Sequence, residues 1–223
     1  MLYLILMLEL FFALAPVSII LLTSELLWRR KIVKGERARK YIHILSGIWM
    51  AFWPHYLTTR GVVLLGCIAL IVLIYSRFTH LFHAIYAVHR RTYGDILYAV
   101  ALIVCALLAL EPWIFTTAIL LVAIADGGAA VVGRFYGLNN TYYVCGLRSL
   151  RKSLSGTAAF IVLAYASIAI GYFVGGEEII GNSLIASLVL LPVGSTLLEN
   201  TTPFGLDNLF TPLYAVLLLN TLV

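Results

Sequence analysis

Long apolar segments separated by short polar ones run through the whole chain, and they set the first expectation about its fold. Apolar runs of about 15 to 20 residues match the length at which an α-helix crosses a bilayer. A membrane-spanning barrel would instead show alternating strands of about ten residues. The pattern therefore predicts an all-α integral membrane protein, a single polytopic domain with about eight transmembrane helices. They are expected at residues 1–28, 41–57, 61–75, 96–110, 113–137, 154–174, 183–198 and 209–223.

Composition supports a membrane protein and excludes an ordinary soluble domain. The 223 residues are 62% hydrophobic and 11% charged, with a mean hydropathy of +1.02, which leaves too little polar surface for a soluble fold. The first segment could be a signal peptide, since Ala13-Leu14-Ala15 resembles a cleavage site, but it lacks a basic start. We therefore expect a first span at 1–28, a basic cytoplasmic loop at 29–40 and a catalytic helical core at 41–223.

The positive charges predict the topology. Of the 15 Lys and Arg residues, seven and three follow predicted helices one and three, and four belong to the end of helix five and the loop after it, since Arg134 is counted with them. Arg60 alone falls between these groups. Loops rich in Lys and Arg stay in the cytoplasm. We therefore expect these loops and the polar loop at 199–208 in the cytoplasm, and both termini outside. The net charge of +5 then reflects topology, and no nucleic-acid partner is expected.

An acid stands inside one of the apolar helices. A lone carboxylate at Asp126 would cost several kcal/mol unless it is paired, hydrated or bound to a metal. On a helix, Asp126 shares one face with Ala130, Gly133 and Gly137. That small-residue face is typical of close helix packing. Together with Arg134, the small-residue face would also let an anionic ligand and its metal approach the backbone. Both interpretations remain open.

A group of cations lies just before the next predicted helix. Arg148, Arg151, Lys152 and Ser153 precede the span that begins at residue 154. Such cations often contact lipid headgroups. They can also bind phosphate, together with the free N–H groups of the helix start. The segment is not a P-loop, because Arg151 occupies the position of the second glycine.

Two further polar groups are predicted on the same side of the membrane. The last polar loop carries Glu199 and Asp207, each followed by an asparagine, and carboxylates and amides are ligands that suit Mg²⁺. The same residues would also suit a solvated turn. Arg39, Lys40 and His43 stand at the start of the second predicted helix. Acids for a divalent cation, cations for phosphates and a lipid-exposed body together indicate phosphoryl or nucleotidyl transfer to a lipid.

The ordered set of motifs resembles the CTP-dependent polyprenol kinases, which include dolichol kinase, phytol kinase and the CTP-dependent diacylglycerol kinase and are related to phosphatidate cytidylyltransferase. The resemblance runs from about residue 39 to residue 212. The motifs are Arg39-Lys40-x-x-His43, Tyr93-Gly94, Ala125-Asp126-Gly127, Gly133-Arg134-x-x-Gly137, Lys152-Ser153-x-x-Gly156, Glu199 and Asp207-Asn208.

The resemblance implies a membrane kinase that passes the γ-phosphate of CTP, with Mg²⁺, to a lipid alcohol such as phytol, geranylgeraniol or a polyprenol. On this basis we expect Asp126, Asp207 and Lys152 to be catalytic, and Asp126, Glu199 and Asp207 to hold the metal. The expected nucleotide-binding residues are Arg39, Lys40, His43, Gly127, Gly133, Arg134, Gly137, Arg151, Lys152, Ser153, Gly156 and Asn208.

Two alternatives remain open at this point. A phosphatidate cytidylyltransferase that makes CDP-diacylglycerol could use nearly the same residues. A transporter or scaffold could hold intramembrane charges, although the charges here gather at one face and the two halves show no repeat. The sequence leaves the lipid, the nucleotide base and the oligomeric state open.

Overall fold

The computed structural model describes residues 2–33, 35–79, 82–83, 93–144, 151–175 and 180–223. Its helices are α1 (Leu2–Arg29), α2 (Glu36–Ala51), α3 (Thr59–Thr79), α4 (Gly94–Leu108), α5 (Pro112–Leu120), α6 (Gly127–Tyr136), α7 (Leu154–Gly175), α8 (Gly181–Thr201) and α9 (Asp207–Leu222). A 3₁₀ turn covers Trp53–His55, and a π-helical segment, Leu121–Asp126, joins α5 to α6. We call the continuous stretch Pro112–Tyr136 the central helix.

The helical membrane character is confirmed, and the number of crossings is confirmed in part. Among the described residues, five helices are long and apolar enough to span a bilayer: Met7–Arg29 within α1, α3, the central helix, α7 and α8. Helices α2, α4 and α9 lie where spans are predicted, but they have 16, 15 and 16 residues. That these three helices cross the membrane therefore remains a prediction, and so does the total of eight crossings.

The central helix forms the core of the bundle. In its most apolar window 72% of the residues are buried, against 28% or less in the other four candidate spans. Fully buried side chains such as Phe115, Ile119 and Leu121 pack against α2, α7 and α9. Asp126 is therefore held by neighbouring helices on several sides.

Two local features differ from the prediction. The segment 138–153 is not all loop, because β1 (Thr141–Tyr143) and β2 (Arg151–Ser153) form an antiparallel pair with Tyr142 opposite Lys152. Helix α2 begins at Glu36, five residues earlier than predicted, so part of the expected 29–40 loop is helical. The predicted cation Arg148 and most of the polar segment after α3 lie outside the described residues.

Within the described residues, the connections between helices gather at opposite ends of the bundle. At one end, residues from segments 35–40, 126–138, 151–157 and 199–208 line one cavity. At the other end, the His55 Nε2 lies 2.9 Å from the Thr116 Oγ1, and the Asn220 Nδ2 donates a 2.7 Å hydrogen bond to the Leu108 carbonyl. This alternation agrees with the order of basic and non-basic loops, while the side that faces the cytoplasm remains a prediction.

Candidate active site

Three carboxylates meet in the cavity at the basic end of the bundle. One oxygen each from Asp126, Glu199 and Asp207 lies within 4.8 Å of the others, the one such group found within the described ranges. The acids come from the central helix, from the end of α8 and from the first residue of α9. The cavity has a volume of about 700 Å³, which suits a small-molecule ligand.

The π-helical segment sets the position of Asp126. This wider helical turn ends at Asp126 itself, and π turns inside α-helices often occur at functional sites. The His43 Nε2 lies 3.1 Å from the Val122 carbonyl oxygen and 3.5 Å from the Asp126 Oδ2. The ring of Tyr98 packs on the imidazole with centroids 4.6 Å apart. A side chain from α2 therefore supports both the π turn and the acid that follows it.

Two lysines compensate two of the three acids. The Lys40 Nζ donates a 2.6 Å hydrogen bond to the Asp126 Oδ2. The Lys152 Nζ donates to the Glu199 carbonyl at 2.7 Å and forms an ion pair with the Glu199 carboxylate. Burial favours a lower pKa for Lys152, but the charge of Glu199 outweighs it and the pKa of Lys152 is raised. Lys152 therefore remains a cation at the cavity wall.

Small residues bring α6 and α7 into close contact. A Cβ atom at Gly156 would lie 3.2 Å from the Ala129 carbonyl oxygen and 3.3 Å from the Gly133 Cα. A Cβ at Gly133 would lie 2.9 Å from the Ser153 Oγ, which also accepts a 3.1 Å hydrogen bond from the Gly156 N–H. Close packing and a helix cap therefore account for these residues. Their nucleotide-binding role stays a prediction.

All but two of the predicted site residues line the cavity. Those that do are Arg39, Lys40, Asp126, Gly133, Arg134, Gly137, Arg151, Lys152, Ser153, Gly156, Glu199, Asp207 and Asn208. Gly127 and His43 do not line the cavity, and their nucleotide-binding role stays a prediction. Gly127 lies against the Ile44 side chain, where it lets α2 approach the central helix, and His43 is buried behind Asp126.

The loop between α8 and α9 is tied to the start of α4. The Tyr93 N–H donates to the Phe204 carbonyl at 3.1 Å, and the Asn208 Nδ2 donates to the Gly94 carbonyl at 2.9 Å. These bonds give a structural role to the Tyr93-Gly94 motif and to Asn208. They also fix the loop that carries Asp207 into the cavity.

Glu36 and Phe204 are among the cavity residues that were not predicted from the sequence. Glu36 forms an ion pair with Arg39, whose Nε lies 3.2 Å from the Glu36 Oε2. Their i, i+3 spacing in the sequence indicates such a pair on a helix. Phe204 lines the cavity with a positive φ of 59°. Such a backbone conformation costs about 1–3 kcal/mol for a bulky residue. Nothing in the local sequence indicates it.

Comparison with known proteins identifies the family. The chain is 31% identical over 210 residues to a phytol kinase from Synechocystis sp., an alignment that covers 89% of this chain and 84% of the relative. The chain belongs to the polyprenol and phytol kinase family. No family model matches it, and no solved structure matches it. Within this kinase family, the cavity with its three acids and two lysines is the candidate site of phosphoryl transfer.

Proposed function

We propose that this protein is a Mg²⁺-dependent kinase that transfers the γ-phosphate of CTP to the hydroxyl of a long-chain prenol at the cytoplasmic membrane face. The alcohol oxygen forms a bond to the γ-phosphorus, the bond to the β-phosphate oxygen breaks, and CDP, a prenyl phosphate and a proton result. The observation that carries the proposal is the cluster of Asp126, Glu199 and Asp207 between Lys40 and Lys152. The phytol kinase relative supports a prenol as the acceptor.

The donor set suits magnesium. Asp126, Glu199 and Asp207 offer carboxylate oxygens close together, and Mg²⁺ prefers a few carboxylates together with water and substrate phosphates. A bound Mg²⁺ would neutralise charge on the nucleotide phosphates. Glu199 and Asp126 each already face a lysine, so two of the three acids have a paired positive charge without an added ion.

The cations of the cavity wall would bind the phosphates. Lys152 and Arg151 lie on β2, and Arg134 lies on the last turn of α6, all lining the same cavity. Fixed positive groups stabilise the charge on a transferred phosphoryl group, because they need no reorganisation during the reaction. We expect Lys152 to contribute most, since Glu199 fixes its position.

Asp207 is the candidate group for the acceptor alcohol. It is the first residue of α9 and shares the cavity with Lys152. A carboxylate within hydrogen-bond reach of the hydroxyl can orient it and accept its proton. The prenyl chain would remain in the bilayer beside the bundle, and its hydroxyl would enter the cavity laterally.

A product assay tests the function. Purified protein in mixed micelles receives CTP and Mg²⁺ with phytol, geranylgeraniol, a long polyprenol, diacylglycerol or phosphatidate, and mass spectrometry identifies the lipid product. We expect a prenyl monophosphate, which should disappear when EDTA is added. CDP-diacylglycerol from phosphatidate would identify a cytidylyltransferase instead. No nucleotide-dependent product from any lipid would contradict the enzyme.

A further inference from the structure

Glu36 places a negative charge at the wall of the cavity that is proposed to bind a polyanionic nucleotide. It lines the cavity from the first turn of α2 but is not part of the Asp126, Glu199 and Asp207 cluster. It would repel phosphates, and its pairing with Arg39 holds it at the cavity wall. A carboxylate in this place is suited to accept hydrogen bonds from a ligand's neutral N–H groups.

Phe204 is an aromatic residue that lines the same cavity. Phe204 is 57% exposed. It is one of two non-glycine residues with positive φ in the described part of the chain, and the Tyr93 N–H fixes its carbonyl. A strained conformation persists only where the surrounding structure holds it. The loop thus holds an exposed aromatic residue at the cavity rather than in the core.

We propose that Phe204 and Glu36 form a nucleobase subsite that favours bases with an exocyclic amine. The inference rests on the proposed nucleotide-dependent kinase function. The Phe204 ring stacks on the base, since base–aromatic stacking works for any base. The Glu36 carboxylate accepts a hydrogen bond from the amine, and Arg39 donates to a ring carbonyl or ring nitrogen of the same base.

This arrangement discriminates between cytosine and uracil. Cytosine carries an amine donor at position 4, which a carboxylate accepts well. Uracil carries an oxygen there, so two acceptors would face each other and neither would find a donor. The two bases are nearly equal in size and both can stack. The structure therefore assigns affinity for the base to Phe204 and selection of CTP over UTP to Glu36.

Steady-state kinetics with CTP and with UTP separate the two roles. The Phe204→Leu variant should raise KM for both nucleotides about tenfold and leave kcat little changed, while Phe204→Tyr should behave like the unaltered protein. The Glu36→Gln variant should lower the ratio of kcat/KM for CTP over UTP about tenfold. Its amide can donate to the uracil oxygen. Phe173→Leu and Glu111→Gln, which change exposed residues away from the cavity, serve as controls.

A ligand change gives the same test without any mutation. With the unaltered protein, kcat/KM should be about tenfold lower for a CTP analogue whose 4-amino group is replaced by hydrogen than for CTP itself. With Glu36→Gln, the two values of kcat/KM should differ little. Full activity with this analogue would overturn the assignment of Glu36. An unchanged KM in Phe204→Leu would overturn the stacking role and leave Phe204 as a lipid contact.

The result also distinguishes this inference from the proposed function. If the unaltered protein transfers phosphate from neither CTP nor UTP, the kinase proposal itself fails, and the nucleobase subsite fails with it. If the unaltered protein is active and the variants show no change in KM or in the CTP to UTP ratio, only the subsite is overturned.

Discussion

The Lys40 Nζ lies 2.6 Å from the Asp126 Oδ2 and joins residues that are 86 positions apart in the chain. Both side chains are largely buried, with 8% and 13% of their surface exposed. The pair ties α2 to the central helix and compensates an acid that apolar surroundings would otherwise penalise. Under the proposed function, a metal ion bound at Asp126 would compete with Lys40 and would free its ammonium group to contact the nucleotide phosphates.

Removing Lys40 should destabilise the protein more than removing the whole pair. Lys40→Met leaves a buried carboxylate unpaired and should cost about 3 kcal/mol. The double variant Lys40→Met with Asp126→Asn should recover most of that loss. Thermal unfolding of the unaltered protein, the two single variants and the double variant, in detergent without divalent cations, measures the coupling free energy between the two side chains. Equal and additive losses would show that the contact contributes nothing.

Asp126→Asn should abolish phosphoryl transfer and leave the protein folded in the membrane. The amide keeps the shape but removes the charge that a metal requires, and the lost stabilisation of several kcal/mol corresponds to at least about a 100-fold fall in kcat. Glu111→Gln, at the start of α5, is the matched control and should keep full activity. Near-normal turnover by Asp126→Asn would refute the assignment of the site.

Lys152→Ala should mainly weaken nucleotide binding. The variant removes a cation that Glu199 holds in place, so KM for CTP should rise about tenfold or more, as expected for a charge-assisted contact. Arg60→Ala removes an exposed cation that does not line the cavity and should change nothing. If KM and kcat are both unchanged in Lys152→Ala, the phosphate role is wrong.

Gly156→Ala should lower stability because two of the three atoms nearest to the added methyl group are backbone atoms that cannot move aside. The added methyl group would meet the Ala129 carbonyl oxygen at 3.2 Å, and such overpacking costs about 1–3 kcal/mol. Gly61→Ala is the control, since its nearest neighbours would lie 3.6 Å away. It should be neutral or slightly stabilising. Equal melting temperatures for the two variants would argue against tight packing of α6 on α7.

The helices and most of the site residues could be predicted because their signals are local. Apolar length locates α3, α7 and α8, and the charges flanking them order the loops. The acid at Asp126 is visible because it interrupts an apolar segment. These features depend on a few neighbouring residues and on transfer free energies, so a single sequence carries them.

The pairings inside the site could not be predicted, since they depend on how distant segments meet. The Lys152 ion pair with Glu199, the π turn before Asp126 and the conformation of Phe204 all require the packed bundle. His43 illustrates the difference. Its motif suggested a ligand-binding residue, whereas the structure places it behind Asp126 against the Val122 carbonyl.

The most direct test of the central claim follows the phosphorus of the nucleotide. Purified protein in prenol-containing micelles is incubated with Mg²⁺ and with CTP labelled at either the α or the γ position, and Asp126→Asn is run in parallel. The account predicts label in the lipid from γ-labelled CTP only, and none with the variant. Label from α-labelled CTP, or equal transfer by Asp126→Asn, would contradict it.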